Sequence, residues 1–321
     1  MKNIAILTSG GDAPGMNAAV AAVIKTAFAN NIQPWIVQDG YKGLITNQIS
    51  KADIKFADSI VSRGGTVIGS ARLPEFKEEK VREVAVKNLK KLKIEALVVI
   101  GGDGSYQGAE KLSKMGINCI GLPGTIDNDI VSSDLTIGFD TALNTVVNSI
   151  DAIRDTADSH NRCMVVEIMG NACGDLTLFG ATATGAEVIA TKESPLTKEE
   201  IISQVNELKK RNHRSVIVAV SEKQFNAEEL AKEIMQKTGY DSRHTVLGHI
   251  QRGGKPTAME RYWATRFGIY AVEQLIAGKS ALYIGLDGNT LVGRDIESTL
   301  NAAPKDRTQE YDAIRKINKG V

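Results

Sequence analysis

The chain has 321 residues, of which 42% are hydrophobic and 24% charged, and its formal net charge is +1. That length and balance belong to a globular chain of one large or two medium domains. Near-neutrality provides no global field for nucleic acid or a membrane surface, and no run approaches 18 apolar residues, so polyanion binding and a spanning helix are not expected; small phosphorylated ligands held by local clusters remain open.

The first element is a strand at Asn3–Leu7, read as a strand and not a signal peptide because the apolar run is short and turns polar and Gly-rich. Helix Asn17–Asn30 follows, then helix Glu78–Lys91, strand Ala96–Ile100, helix Ser105–Lys114 and strand Ile117–Leu122. The second half continues with helix Thr141–Thr156, strand Cys163–Ile168, helix Thr197–Arg211, strand Ser215–Val220, helix Ala227–Lys237, helix Ala258–Ala277 and strand Ala281–Gly285. The strands are brief and apolar on both faces, as buried parallel strands are. Repeated alternation with helices predicts an α/β fold with mainly parallel sheets covered by helices on both faces. Periodicity marks no domain boundary. Cys119, Cys163 and Cys173 are too few and odd in number for a disulfide framework, which fits a reduced, cytoplasmic setting.

Four loops after predicted strands carry unusual chemistry. Thr8–Asn17 is Gly-rich and leads into a helix, so it is either a tight turn or an anion cradle, with backbone N–H groups and a helix N-terminus facing a phosphate. Gly101-Gly102-Asp103-Gly104-Ser105 places one carboxylate among glycines at the carboxyl edge of a buried strand. Such edges bind ligands, and a carboxylate there suits Mg²⁺ shared with phosphate; the other reading is an Asp that caps the next helix. Pro123–Asp129 sets Asp127 and Asp129 two residues apart. Phosphoryl transfer to an alcohol needs a base, a metal and donors for developing charge, which Asp127, Asp129, Asp103 and the Thr125 hydroxyl could supply; an Asx-turn is the alternative. Gly248–Gly254 holds His249 and Arg252 between glycines, like a phosphate or sugar clamp. Arg72, Arg162 and Arg243 are surface charges by local reading.

Taken together, TSGGDAPGMNA, DGYKGL, IGSARLPEF, IGGDGSYQGA, GLPGTIDNDI, IGFDTALN, MGNACGDL and VLGHIQRGG resemble the 6-phosphofructokinase family across nearly the whole chain. The resemblance implies transfer of the γ-phosphoryl of ATP to the 1-hydroxyl of D-fructose 6-phosphate, with Mg²⁺ and a homotetramer. It implies a nucleotide domain of residues 1–138 and 251–301 and a sugar-phosphate domain of residues 139–250 and 302–321. By position, Gly11, Tyr41, Arg72, Leu73, Phe76, Gly102, Asp103, Gly104, Ser105 and Gly108 resemble the ATP and Mg²⁺ site, with Asp103 toward the metal. Asp127 resembles the base, accompanied by Asp129, with Thr125 and Arg72 near the transferred group. Ile126, Met169, Gly170, Asn171, Glu222, His249 and Arg252 resemble the sugar-phosphate site, and Arg162 and Arg243 the arginines that reach it from a neighbouring subunit.

Some positions depart from the family. Asn171 stands where an arginine is usual and removes a positive charge. Arg154, Gly185, Glu187 and Arg211 resemble an effector site for ADP or phosphoenolpyruvate; Lys25 there keeps a charge without the bidentate fork, His213 replaces a lysine, Ala21, Ile54 and Ser59 depart from the pattern, and weak allosteric control follows. Two other functions stay in view. A pyrophosphate-dependent relative usually carries Asp at 104 and Lys at 124, where this chain has glycine; a silent regulatory subunit would be free to lose Asp103, Asp127 or Asp129, which are all kept.

Overall fold

The computed structural model describes residues 1–303 and 306–320. The strands are β1 (Asn3–Thr8), β2 (Gln33–Val37), β3 (Ile49–Lys51), β4 (Ala96–Gly101), β5 (Asn118–Thr125), β6 (Ile137–Gly138), β7 (Cys163–Ile168), β8 (Val188–Ala190), β9 (Val216–Ser221), β10 (Ser242–Val246), β11 (Leu282–Asp287) and β12 (Thr290–Asp295). The helices are α1 (Met16–Ala29), α2 (Gly40–Ile45), α3 (Ile54–Ile60), α4 (Glu79–Lys91), α5 (Asp103–Lys114), α6 (Phe139–His160), α7 (Asp175–Ala183), α8 (Lys198–Lys210), α9 (Ala227–Thr238), α10 (Ala258–Ile276), α11 (Ile296–Leu300) and α12 (Thr308–Gly320).

Contacts divide the chain into two compact units. The first comprises Met1–Ile126, Ile130–Thr141 and Arg252–Pro304, the second Asp127–Asp129, Ala142–Gln251 and Lys305–Val321. Of the expected segment 302–321, residues 304, 305 and 321 lie outside the described residues.

The first unit is built on a sheet in the order β12-β11-β5-β4-β1-β2-β3, with β6 beside β5. Among the described residues of this sheet, only the outer pairs β2/β3 and β11/β12 run antiparallel. Strands β1 and β4 are neighbours in register from Ile4↔Ala96 to Thr8↔Ile100, so their following loops emerge side by side. The chain leaves β1 toward β2 on one side and β4 toward β5 on the other, and such a switch point opens a crevice for ligand at the carboxyl ends of the strands. Helix α1 is buried along most of its length, a consequence of its Ala- and Val-rich sequence. It starts at Gly15, whose φ of 99° excludes most other residues.

The second unit has four parallel strands in the order β10-β7-β9-β8. Ile168 of β7 lies opposite Ser221 of β9, and Glu167 opposite Val246 of β10, so the loops after β7, β9 and β10 share one carboxyl edge. Helix α8 is fixed at its start by a capping box between Thr197 and Glu200, and α9 by Asn226 at its head and Gly239 at its tail. The apolar faces of both pack on β7, β8 and β9. Both units are thus the helix-flanked, mainly parallel sheets that the alternation predicts.

Candidate active site

In the first unit the loops after β1 and β4 lie together. Ser9 N–H donates to the Ile100 carbonyl at 2.9 Å, and Ser70 Oγ to the Gly10 carbonyl at 2.6 Å. Buried Asn17, the second residue of α1, donates to the carbonyls of Arg63, Gly64 and Gly65 and accepts from Val67 N–H at 2.8 Å. It thereby anchors the segment that leads to exposed Arg72. Gly11 is covered by the Arg252 guanidinium, so close that a Cβ there would lie 2.6 Å from Nη1. Arg252 also donates to the Asp12 carbonyl at 3.2 Å. Arg252, expected with His249, is therefore a neighbour of the first glycine loop.

The loop after β4 combines tight packing with open space. A Cβ on Gly101 would meet Ser105 Oγ at 2.4 Å, whereas nothing lies within 4 Å of one on Gly102 or Gly104. Asp103 stands between those two glycines in the first turn of α5, where the helix dipole favours its carboxylate. Tyr41 and Phe76 stack at 4.2 Å beneath this turn, both buried. The Tyr41 hydroxyl donates to the Ser105 carbonyl, its ring leaves no room for a side chain at Gly108, and burial pushes its pKa well up. Partly buried Leu73 packs against the same cluster. These aromatics brace the Gly-rich turn from behind.

Strand β5 ends at Thr125, whose carbonyl accepts from Thr136 Oγ1 at 2.7 Å. Gly124 has no spare volume: a Cβ would lie 2.7 Å from Met16 Cε and 3.0 Å from the Gly101 nitrogen. Ile126 is fully buried, which leaves only its backbone to meet a ligand.

In the second unit, Asp127 is 8% exposed and Asn128 is buried in a left-handed conformation with φ 55°. Asn128 Nδ2 donates to Asp175 Oδ2 at 2.7 Å, and Arg307 of the C-terminal segment grips the same carboxylate with two bonds of 2.7 and 2.8 Å. The Asp127–Asp129 turn is thus tied to the start of α7. Cys173 Sγ lies 3.8 Å from the Asn128 carbonyl.

Met169, Gly170 and Asn171 form the loop after β7. Glu222, which follows β9, accepts the N–H groups of Gly170 at 3.0 Å and Asn171 at 2.6 Å. Fully buried Gln251 takes the Met169 N–H at 2.9 Å. Gln251 carries no signal in the sequence, since nothing local separates a clamp glutamine from a surface one. Asn171 Nδ2 points to Asp129 Oδ2 at 3.4 Å, and Lys223 Nζ donates to Asn171 Oδ1 at 2.9 Å. His249 is exposed on the loop after β10 at the same edge.

Arg162 and Arg243 sit elsewhere. Both bind the carboxylate of Asp241, at 2.7 and 2.6 Å, and Arg162 chiefly holds that carboxyl below the usual range. Arg162 precedes β7 whereas Met169 follows it. The six residues of β7, roughly 20 Å at 3.3 Å each, separate Arg162 from Met169, and Arg243 of β10 pairs with Met164 near the same starting end. Of the effector-like residues, Arg154 is bound by Glu187 at 2.9 Å and by the carbonyls of Thr184 and Gly185, and Lys25 by Asp58 at 2.6 Å. Arg211 caps the end of α8, and His213 follows two residues later with its carbonyl held by Tyr240.

A family model described as phosphofructokinase matches residues 3–275. The chain belongs to the phosphofructokinase family. An ATP-dependent 6-phosphofructokinase of Spiroplasma citri is 54% identical over the whole chain and 98% of its own length. One from Vibrio cholerae is 52% identical over 99% of both. A solved phosphofructokinase from Saccharomyces cerevisiae superposes with a TM-score of 0.88 at 32% identity, over 99% of this chain; the chain spans 47% of that longer one. A pyrophosphate-dependent phosphofructokinase from Marinobacter aquaeolei shares the fold alone, at 22% identity and a TM-score of 0.86 over 99% of this chain and 91% of its own.

In the phosphofructokinase fold Cys119 and Cys163 are buried and Cys173 is partly so. Burial pushes Cys119, Cys163 and Cys173 up to about 12 from 9.0. Only the thiolate is nucleophilic, so a rise of about three units lowers the reactive fraction near pH 8 by roughly a thousandfold. Alkylation by iodoacetamide at pH 8 should be slower in the folded protein by about that factor than after unfolding in guanidinium, measured by mass spectrometry. A thiol that reacts equally fast in both would show its site to be open.

Proposed function

We propose that this phosphofructokinase transfers the γ-phosphoryl of ATP to the 1-hydroxyl of D-fructose 6-phosphate, giving fructose 1,6-bisphosphate and ADP. What carries the reading is that relatives named for this ATP-dependent reaction match the chain end to end. The donor is further supported by Gly104 and Gly124. Open space beside Gly104 leaves room for a nucleotide, and Gly124 is too tightly packed for the lysine expected of a pyrophosphate user.

The first unit takes the nucleotide. Gly11 in the loop after β1 and Gly102, Gly104 and Ser105 at the head of α5 offer backbone and hydroxyl donors, and Tyr41, Phe76 and Gly108 shape the α5 turn. Asp103, exposed between two open glycines, would hold Mg²⁺ together with phosphate oxygens and water, a set that suits this ion. The ion would neutralise charge on the phosphates. Arg72 and the Thr125 hydroxyl face the developing charge on the transferred group, and Arg252 supports the same loops.

The second unit takes the sugar. Asp127 accepts the proton of the 1-hydroxyl as the new O–P bond forms, while Asp129 and the Asn128–Asp175 tie keep it in place. Met169, Gly170, Glu222 and His249 line the sugar. Arg162 and Arg243 act on a neighbouring subunit, a reading supported by their place at the far edge of their own sheet. Strand β10 is an exposed edge with Val246 and nearby Ile250 half open to solvent, which suits a chain–chain contact in a homotetramer.

Among the described residues no helix is long and apolar enough to cross a membrane. Turnover with fructose 6-phosphate and either ATP or pyrophosphate, at matched concentrations, tests the reading. Fructose 1,6-bisphosphate and ADP should form with ATP alone. Comparable rates with pyrophosphate would overturn the donor, and no turnover with either would leave a silent regulatory chain.

A further inference from the structure

We infer that Lys223 supplies a positive charge to the transferred phosphoryl group, held in place by Asn171; the assignment rests on the phosphotransfer reading above. The loops after β7 and β9 meet because Ile168 and Ser221 are register partners. Glu222 takes up the backbone N–H groups of Gly170 and Asn171, which fixes the turn and leaves the Asn171 side chain to reach outward. That amide is used at both ends. Its oxygen accepts from Lys223 Nζ at 2.9 Å, and its nitrogen points to Asp129 Oδ2 at 3.4 Å.

An amide has one donor end and one acceptor end, so this arrangement orients the ammonium relative to the carboxylate without placing any charge on Asn171 itself. Lys223 is therefore the charged member of the Lys223–Asn171–Asp129 chain on the cationic side. Asp127, Asp129 and Glu222 are all potential anions on this stretch of the second unit. Transfer to an alcohol spreads negative charge over the equatorial oxygens of the phosphoryl group, and a cation nearby offsets it. Exposed Lys223 has three N–H donors, of which Asn171 uses one.

The backbone points the same way. Asn171 and Lys223 both lie in the left-handed region, at φ 54° and 68°. Asparagine tolerates that conformation, but lysine rarely adopts it. A strained lysine on one loop, aimed at a left-handed asparagine on the next, marks a contact that the fold maintains against a local cost. The link to Asp129, two residues from Asp127, sets the ammonium on the side of the proposed base.

The test is steady-state kinetics with ATP and fructose 6-phosphate on the wild type, Lys223→Met, Lys223→Arg and the double variant Lys223→Met/Asn171→Arg, with thermal unfolding of each. Losing one charge-assisted contact in the transition state should lower kcat about ten- to hundredfold in Lys223→Met, with KM for fructose 6-phosphate changed less than about threefold. Lys223→Arg should retain most of the rate, and the arginine at 171 should recover at least about fivefold of the loss. Unfolding midpoints should stay the same for the Lys223 single variants, since the side chain is exposed, and fall slightly where arginine takes the left-handed position of Asn171. An unchanged kcat, a raised KM at normal kcat, or a loss that neither arginine repairs would each overturn the assignment. Wild-type protein with no turnover at all sinks the phosphotransfer reading and this inference with it; active wild type alongside a normal Lys223→Met sinks the inference alone.

Discussion

Asp127→Asn is expected to lower kcat by about a hundredfold or more while the fold stays intact. An asparagine keeps the shape of the side chain but cannot accept the hydroxyl proton, and general-base assistance is typically worth about 10²–10⁴ in rate. The turn should survive because its anchor lies one residue on: buried Asn128 bonds Asp175, and Asp175 is gripped by Arg307. KM for fructose 6-phosphate should move far less than kcat, as befits an interaction realised in the transition state. Circular dichroism and the unfolding midpoint monitor the fold. Near-normal turnover in a folded variant would take Asp127 out of the base role.

Arg307→Met should strongly destabilise the second unit. The guanidinium makes a bidentate pair with Asp175, whose side chain is only 6% exposed, and lies 4.8 Å from the Phe179 ring centroid. Removing one partner of such a pair leaves a buried charge uncompensated, which costs about 3–5 kcal/mol. Methionine keeps the apolar stem, so the loss isolates the charge. Guanidinium denaturation followed by fluorescence should show a clearly lower midpoint. The double variant Arg307→Met/Asp175→Asn should be milder than Arg307→Met, because no unpaired carboxylate remains. A single variant as stable as wild type would mean that water screens the pair. Turnover should fall with stability, since the Asp127 turn depends on Asp175.

Much of this was legible residue by residue. The runs that became β1, β4, β5, β7 and β9 stand out because burial on both faces keeps their middles apolar, Glu167 of β7 being the exception. Helices α4, α8 and α9 stand out because one side of each faces the core. Other elements were silent. Gln33–Val37 contains Pro and Trp without alternation, and Ser242–Val246 is mostly exposed at a sheet edge, so neither has a periodic signal. Helix α7 is buried along most of its length and carries a glycine, which erases the contrast between faces.

The site divides along the same line. Gly101–Ser105, Thr125–Asp129 and Gly248–Gly254 could be found by reading because each packs its chemistry into consecutive residues after a strand. Asn17, Gln251, Lys223 and Arg307 could not, since each is a lone polar residue whose meaning depends on a partner 46 or more positions away. Lys223 shows this most sharply: it faces Asn171 only because β9 lies beside β7, an order set by how crossover helices pack on the sheet. By itself the sequence determined the fold class, the family and the loops that carry carboxylates, because burial and turn chemistry are written locally. Only the tertiary structure decided which loops meet, that Arg252 covers Gly11, that Arg162 and Arg243 stand at the opposite edge from Met169, and that a lysine stands beside the uncharged residue at 171. Strand order and register are products of non-local packing, and no local pattern of residues encodes them.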